Sequence, residues 1–326
     1  MSNPAAPGAT QQPDLSPDPP IRREGGAPPT LGARPPVFRR LAIIGLGLIG
    51  SSLARVATGR RELAAEIVAC DRAPVLARVA ALGIADRTDP DPASAVRGAD
   101  CVILCAPVGA YAEIAAAIAP SLAPGCILTD VGSTKQSVLR DVGPLVPAGV
   151  HFVPGHPMAG TEYSGPDSGF PTLFQGRWVL LTPPAGTDAL ATERVAELWR
   201  RCGAMVEVMD AAHHDRVVAV VSHLPHLIAF TICGTADDLA GETRDEVLKF
   251  AAAGFRDFTR IAASDPTMWR DVFLNNREAL LEMLARFTED AQAMARAVRW
   301  GDGAYIEDKV RRSREIRRSL IELNQA

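Results

Sequence analysis

The stretch Leu41-Ala-Ile-Ile-Gly45-Leu-Gly47-Leu-Ile-Gly50-Ser-Ser-Leu-Ala54 decides the fold. Its first four residues form an apolar run suited to a strand covered on both faces. Three glycines follow at the spacing G-x-G-x-x-G, and a helical pattern runs from Leu48 to Thr58. Between a strand and a helix, the first glycine permits the tight turn and the second lets backbone approach a pyrophosphate. The third lets helix and strand pack closely. The helix N-terminus adds free N–H groups and the positive end of its dipole. Asp71 lies 21 residues beyond Gly50, at the end of the next apolar run, Glu66–Asp71. A carboxylate there accepts hydrogen bonds from an adenosine ribose. It would repel a 2′-phosphate, which favours NAD over NADP. Arg72 beside it offsets part of that charge and keeps NADP as the lesser alternative. The expected cofactor-binding residues are therefore Gly45, Gly47, Leu48, Ile49, Gly50, Asp71 and Arg72.

Outward from this turn, apolar runs and helical patterns alternate. Strand-like runs recur at Cys101–Pro107, Cys126–Val131 and His151–Val153, separated by the helical patterns Pro74–Leu82, Gly109–Ala119 and Lys135–Val142. Such alternation implies βαβ units and a doubly wound parallel sheet, an α/β fold of Rossmann type. Two further strand-like runs, Trp178–Thr182 and Met205–Met209, flank a helix from about Asp188 to Arg201. After Asp210 the periodicity is helical throughout, over Ala211–Cys233, Arg244–Gly254, Pro266–Trp300 and Tyr305–Leu323. The expected organisation is a dinucleotide-binding domain over 39–210 and an all-helical substrate and dimerisation domain over 211–326. Residues 1–38 carry ten prolines and almost no branched apolar or aromatic residues, the composition of a disordered tail.

Composition narrows the function. The 326 residues carry 34 basic against 38 acidic groups, a net charge of −4, so the field that a nucleic-acid binder needs is missing. Only Lys135, Lys249 and Lys309 are lysines; the arginine excess reads as compositional bias, and the basic helix Lys309–Arg318 as a solvated face or an oligomer contact. Four of the six cysteines lie in apolar runs, without zinc spacing or a disulfide framework, which suits a reducing cytoplasm. No secretory signal is expected at the N-terminus. The run Val217 to Cys233 is broken by Ser222, His223, Pro225 and His226 and reads as a buried helix, so no membrane partner is expected.

Polar groups gather beside the strands. Asp130-Val-Gly-Ser133-Thr134-Lys135 follows a strand at the edge where doubly wound sheets bind ligands, with Thr134 read as a helix cap. Gly155-His156-Pro157 opens a Gly/Pro/Ser-rich loop extending to Gly176, long enough to imply function. His223 and His226 share a helix face, but a zinc site needs further ligands, so no metal is expected. Arg256 and Arg260 flank Asp257, and arginine is suited to gripping a carboxylate.

Together GLGLIG, DVGSTK, GHPMAGTEYSG, HHDRVVAVVSHLPH and GFRDFTRIAASDPTMWRD resemble the prephenate/arogenate dehydrogenase family of tyrosine biosynthesis, in order over about residues 39–300. The resemblance implies NAD-dependent oxidative decarboxylation of prephenate or arogenate, giving 4-hydroxyphenylpyruvate or tyrosine. By the same resemblance, Ser133 and His156 contact the substrate's ring hydroxyl as the catalytic pair. Thr161 and Glu162 match a gating loop. Ser222, His223 and His226 match the helix that meets substrate, Arg260 matches the arginine that binds a substrate carboxylate, and Asp257 and Trp269 match supports of that pocket. A homodimer joined through the C-terminal helices is expected, because Leu280, Leu281, Met283, Leu284 and Phe287 exceed a single buried stripe. Feedback by tyrosine through an appended regulatory domain is not expected. Two other readings stay open on the residues: a hydroxyacid dehydrogenase or reductase sharing the glycine turn, with Lys249 as its only candidate lysine before the tail, and a catalytically silent NAD sensor.

Overall fold

Six strands form a parallel sheet whose order gives the molecule its ligand crevice. The computed structural model describes residues 34–238, 249 and 251–322. In chain order the strands are β1 (Phe38–Ile44), β2 (Ala64–Cys70), β3 (Arg87–Thr88), β4 (Cys101–Leu104), β5 (Ile127–Asp130) and β6 (His151–Val153). They lie in the order β3-β2-β1-β4-β5-β6. The chain winds away from β1 in both directions, so the crevice opens between the carboxyl ends of β1 and β4. Strand β4 and the second half of β1 are apolar because both faces are covered: Leu41 and Ile43 point into one buried cluster, Ala42 and Ile44 into the other. Helices α1 (Leu48–Arg60), α2 (Ala73–Leu82), a single-turn α3 (Pro92–Ala95), α4 (Tyr111–Ile118) and α5 (Gln136–Val142) connect these strands.

A second, three-stranded sheet follows. Strand β7 (Gly155–Pro157) runs antiparallel to β8 (Trp178–Leu181), and β9 (Met205–Val208) runs parallel to β8 beyond helix α6 (Ala189–Arg201). The reading of Gly155–Gly176 as one loop is thereby corrected. Its first three residues pair with β8, His156 opposite Leu180, because β8 presents an edge that needs partners.

From Ala211 every described element is helical. Helix α7 (Ala211–Val218) passes through a five-residue π turn, Ala219–His223, into α8 (Leu224–Asp238). Helices α9 (Ala253–Thr259), α10 (Pro266–Asn275), α11 (Arg277–Trp300) and α12 (Gly303–Glu322) follow. The expectation of one helix over Pro266–Trp300 fails at Asn276, where the backbone leaves helical geometry (φ −113°, ψ 32°). The side-chain amide of Asn276 is bonded across to Asp215 and His223, as a short polar side chain does in competition with the helix ladder. The reading of Val217 to Cys233 as a buried helix is also corrected. The 28-residue stretch Ala211–Asp238 is long and apolar enough to cross a membrane by composition alone, yet only 22% of its most apolar window is buried. Val220, Val221 and Ile232 are exposed, because no described element of a single chain covers that face. The helix expected over Arg244–Gly254 lies largely outside the described residues, as do residues 1–33 of the expected tail. Residues 34–37 precede β1, which begins at Phe38, three residues before the apolar run expected at Leu41.

Candidate active site

The crevice at the sheet edge is shaped by glycines where side chains would not fit. Gly45 adopts φ +98°, which favours glycine, and a Cβ there would lie 2.6 Å from the backbone of Cys105 and Ala106 at the end of β4. A Cβ on Gly50 would lie 2.0 Å from the carbonyl oxygen of Gly45. A Cβ on Gly47 meets nothing within 4 Å, so this residue faces open space at the first turn of α1. That turn has no side-chain cap and no acidic residue, which leaves its N–H groups available to an anion. Gly47, Leu48 and Ile49 therefore fit the phosphates of a dinucleotide. Asp71 follows the end of β2, where its carboxylate accepts hydrogen bonds from the N–H of Leu46 (2.7 Å) and of Arg72 (2.7 Å). Its side chain keeps 17% exposure, so it can still meet a ribose; the Arg72 side chain is 88% exposed.

Beyond β5 lies a buried polar network that joins the sheet edge to the helical region. Lys135 Nζ donates to Asp130 Oδ2 and to the carbonyl of Gly155 (2.7 Å), while Gly155 N–H donates to Asp130 Oδ1 (3.1 Å). This ties β7, and with it His156, to the end of β5. Burial raises the Asp130 carboxyl and lowers the Lys135 ammonium, and their attraction opposes both shifts. From α7, the Asp215 carboxylate accepts from the N–H groups of Lys135 (2.8 Å) and Gln136 (3.0 Å). Thr134 does not cap α5: its hydroxyl pairs with that of Ser137, and the cap is a carboxylate from another region of the chain.

His214 Nδ1 lies 2.8 Å from Asp215 Oδ1, and His214 Nε2 lies 2.9 Å from His156 Nδ1. His156 is 7% exposed, and its Nε2 has no protein partner among the described residues. Burial first, then the repulsion His156 would feel from a protonated His214, from Lys135 and from a protonated His223, holds the His156 imidazole well below its ordinary range. It is therefore neutral at pH 7, and more firmly so than a free imidazole. Burial lowers His214 as well, against the hydrogen bond that its Nδ1 donates to Asp215. Burial alone would raise Asp215, but His214 and the two backbone N–H groups outweigh it and keep the carboxyl low.

His223, fully buried in the π turn, receives a hydrogen bond from Asn276 Nδ2 (3.0 Å), which also donates to the Asp215 carbonyl (2.8 Å). Its Nε2 is buried without a partner among the described residues, and burial pushes its pKa down to about 4. His226 stacks on Trp269 with ring centroids 3.7 Å apart, and its Nδ1 donates to the Ser222 carbonyl (2.9 Å). Arg260 lies 3.6 Å from Glu162, with side-chain exposures of 63% and 24%. Ser133 is half-buried between Asp130 and Lys135, and Thr161 is exposed two residues past Ala159. Asp257 stands apart: it is exposed on α9, with no hydrogen bond or ion pair among the described residues.

Residues 56–208 match the family described as prephenate dehydrogenase, nucleotide-binding domain, and residues 210–311 match prephenate dehydrogenase, dimerization domain. The chain belongs to the prephenate dehydrogenase family. The first match begins inside α1, so the glycine turn stands on its own geometry. The cyclohexadienyl dehydrogenase of Zymomonas mobilis is 42% identical over 285 residues, covering 87% of this chain and 97% of that one. The prephenate dehydrogenase of Lactococcus lactis is 34% identical over 87% of this chain and 78% of its own length. Among solved structures, prephenate dehydrogenase from A. aeolicus in complex with hydroxyphenyl propionate and NAD+ superposes with a TM-score of 0.79 at 33% identity, covering 87% and 98% of the two chains.

This family member holds three groups in its network that sequence reasoning passed over: His214, Asp215 and Asn276. His214 and Asp215 stand in the HHDR stretch, where their signal was a run of four polar side chains, His213 to Arg216, between the apolar ends of a short helix. Asn276 gave no signal, since it sat inside a helical pattern. No group of three or more potential metal ligands is found among the described residues.

Proposed function

We infer that His156 is the base, Ser133 its partner at the substrate hydroxyl, and Arg260 the carboxylate grip of an NAD-dependent cyclohexadienyl dehydrogenase. The reaction is the oxidative decarboxylation of prephenate, or of arogenate, on the route to tyrosine. NAD+, when bound, supplies the acceptor for the C4 hydride. Gly47, Leu48 and Ile49 would hold its pyrophosphate, and Asp71 its adenosine ribose.

The observation that carries this reading is a buried, neutral imidazole with one free nitrogen, tethered through Gly155 to the carboxyl edge of the sheet. His156 takes the proton of the C4 hydroxyl as the ring carboxylate leaves as CO2 and the ring aromatises. Ser133 orients the same hydroxyl. The buried, unpartnered Nε2–H of His223 offers a donor to a polar group of the substrate, beside the Trp269 and His226 rings. Arg260 receives a substrate carboxylate in exchange for Glu162, and Thr161 and Glu162 form the gate over that exchange. Asp257, exposed in the single chain, supports the pocket only once α9 is covered.

The dinucleotide-binding domain ends near residue 210, and the helical part is both substrate and dimerisation domain. Its matched description as a dimerization domain and the exposure of Leu281, Phe287, Val298, Trp300, Val310 and Ile316 along α11 and α12 support a homodimer, and six free cysteines suit a cytoplasmic setting. Light scattering at micromolar concentration reports a dimer mass; a monomer mass ends the assembly reading. Steady-state kinetics with prephenate and arogenate, each with NAD+ and NADP+, test the activity. Turnover of either substrate faster with NAD+ is expected, and NAD+ binding without turnover of both would leave only the sensor.

A further inference from the structure

Each hydrogen bond behind His156 has a determined direction. The Asp215 carboxylate accepts from two backbone N–H groups, Lys135 at 2.8 Å and Gln136 at 3.0 Å, so it is anchored as an acceptor. His214 Nδ1, 2.8 Å from Asp215 Oδ1, must therefore carry its proton and donate. A neutral imidazole holds one proton, so His214 Nε2 is left with a lone pair. That lone pair faces His156 Nδ1 at 2.9 Å, which must then be the protonated nitrogen of His156. The remaining nitrogen, His156 Nε2, is the one without a protein partner among the described residues.

We propose that His214 and Asp215 are positioning residues for the reaction: Asp215 fixes the tautomer of His214, and His214 fixes that of His156, so that the bare Nε2 of His156 receives the substrate's proton. The step balances locally. The substrate O–H bond breaks, an Nε2–H bond forms, and His156 becomes an imidazolium whose Nδ1–H still donates to His214. The Asp215 charge, two rings away, stabilises that cation through His214, an electrostatic gain made only as the proton moves. His156 is thus neutral and correctly protonated before substrate arrives. Asp215 also caps α5 in the same contacts, so the orientation of the base is coupled to the segment bearing Ser133.

The inference rests on His156 being the base, and the test separates the two ideas. Nitrogen-15 NMR of the full-length protein labelled at histidine reads each ring nitrogen directly, with the His156 signals assigned by their loss in His156→Asn. The expected spectrum shows His156 and His214 each protonated at Nδ1 and bare at Nε2. A His156 protonated at Nε2 overturns the relay even if His156→Asn is inactive, whereas an active His156→Asn overturns the base itself. Kinetics give the second arm. His214→Phe removes the acceptor and should lower kcat by up to ~100-fold, the lower range for a general base, with little change in KM for either substrate. His214→Gln places an amide oxygen near the former Nε2, so it should recover most of the lost kcat and restore the Nδ1–H signal of His156. Equal kcat in both variants and the wild type, or a Gln variant no better than Phe, overturns the proposal.

Discussion

The glycine turn and the histidine network are two sites made in opposite ways. The turn is local: residues 45–50 form it, its donors are backbone N–H groups, and its specificity is the absence of side chains. The network is assembled from β5, β7, α7, the π turn and the α10–α11 junction, and its contacts span up to 80 residues of sequence. One is a shape that backbone makes wherever Cβ atoms are missing. The other is a set of protonation states that exists only when distant elements dock. The turn should therefore respond to substitution through cofactor affinity and folding, and the network through the rate of chemistry.

The sharpest way to break that contrast is His156→Asn. Losing a general base lowers kcat by ~10²–10⁴-fold, while KM for NAD+ stays put, because the turn is built without it. In the wild type the sign of the pH effect follows from burial. Because the imidazole is held below its ordinary 6.5, it stays unprotonated as pH falls through that value, and the acidic limb of kcat/KM lies at lower pH. A limb at 6.5 or above, or its survival in the variant, would falsify this assignment.

Next in size is Arg260→Gln, which tests whether binding and chemistry separate within the helical region. A buried charge pair would suggest a larger loss, but the Arg260 side chain is 63% exposed. A charged hydrogen bond worth ~1.5–3 kcal/mol sets the scale, so KM for the cyclohexadienyl substrate should rise about 10- to 100-fold with kcat less affected. An unmoved KM removes Arg260 from the grip.

The turn itself is sharpened by comparing two alanines. Gly50→Ala puts a Cβ against the Gly45 carbonyl and should lower Tm as well as NAD+ affinity. Gly47→Ala has room and should leave Tm unchanged while raising KM for NAD+ several-fold, measured by thermal unfolding and steady-state kinetics. A Gly47→Ala variant with native KM would move the pyrophosphate elsewhere. The smallest effect is expected from Asp71→Ser, which should relax the preference for NAD+ over NADP+. Because Asp71 also holds the Leu46 N–H, KM for NAD+ should rise and Tm should fall slightly. A constant ratio of kcat/KM for the two cofactors would show that Asp71 serves the turn alone.

What could be read from the sequence follows the same division. Five strands of the sheet, its longer helices and the glycine turn were legible because apolar runs, 3.6-residue periodicity and glycine spacing are local signals, whereas β3, two exposed polar residues, and the single turn α3 carry none. His156, Ser133, His223 and Arg260 were legible only as motifs of a known family. The hydrogen-bond order behind them was not, since nothing near Asp215 in sequence announces that it caps a helix at Gln136. The pairing of β7 was missed because three residues between a proline and a methionine carry no alternation. The break at Asn276 was missed because helical periodicity continues on both sides of the Asn275–Asn276 pair.

The π turn between Asp215 and His223 makes the count of residues there part of the site. An α-helix advances about 100° and 1.5 Å per residue. Val220 and Val221 are exposed, so losing one would cost a single chain little packing and would let α7 and α8 join as one continuous helix. Yet that single-codon deletion would rotate His223 and His226 by about a quarter turn relative to His214 and Asp215, away from Asn276 and Trp269. At this turn the number of residues is held more tightly than their identity: replacing either valine keeps the register of His223 and His226, and deleting one does not.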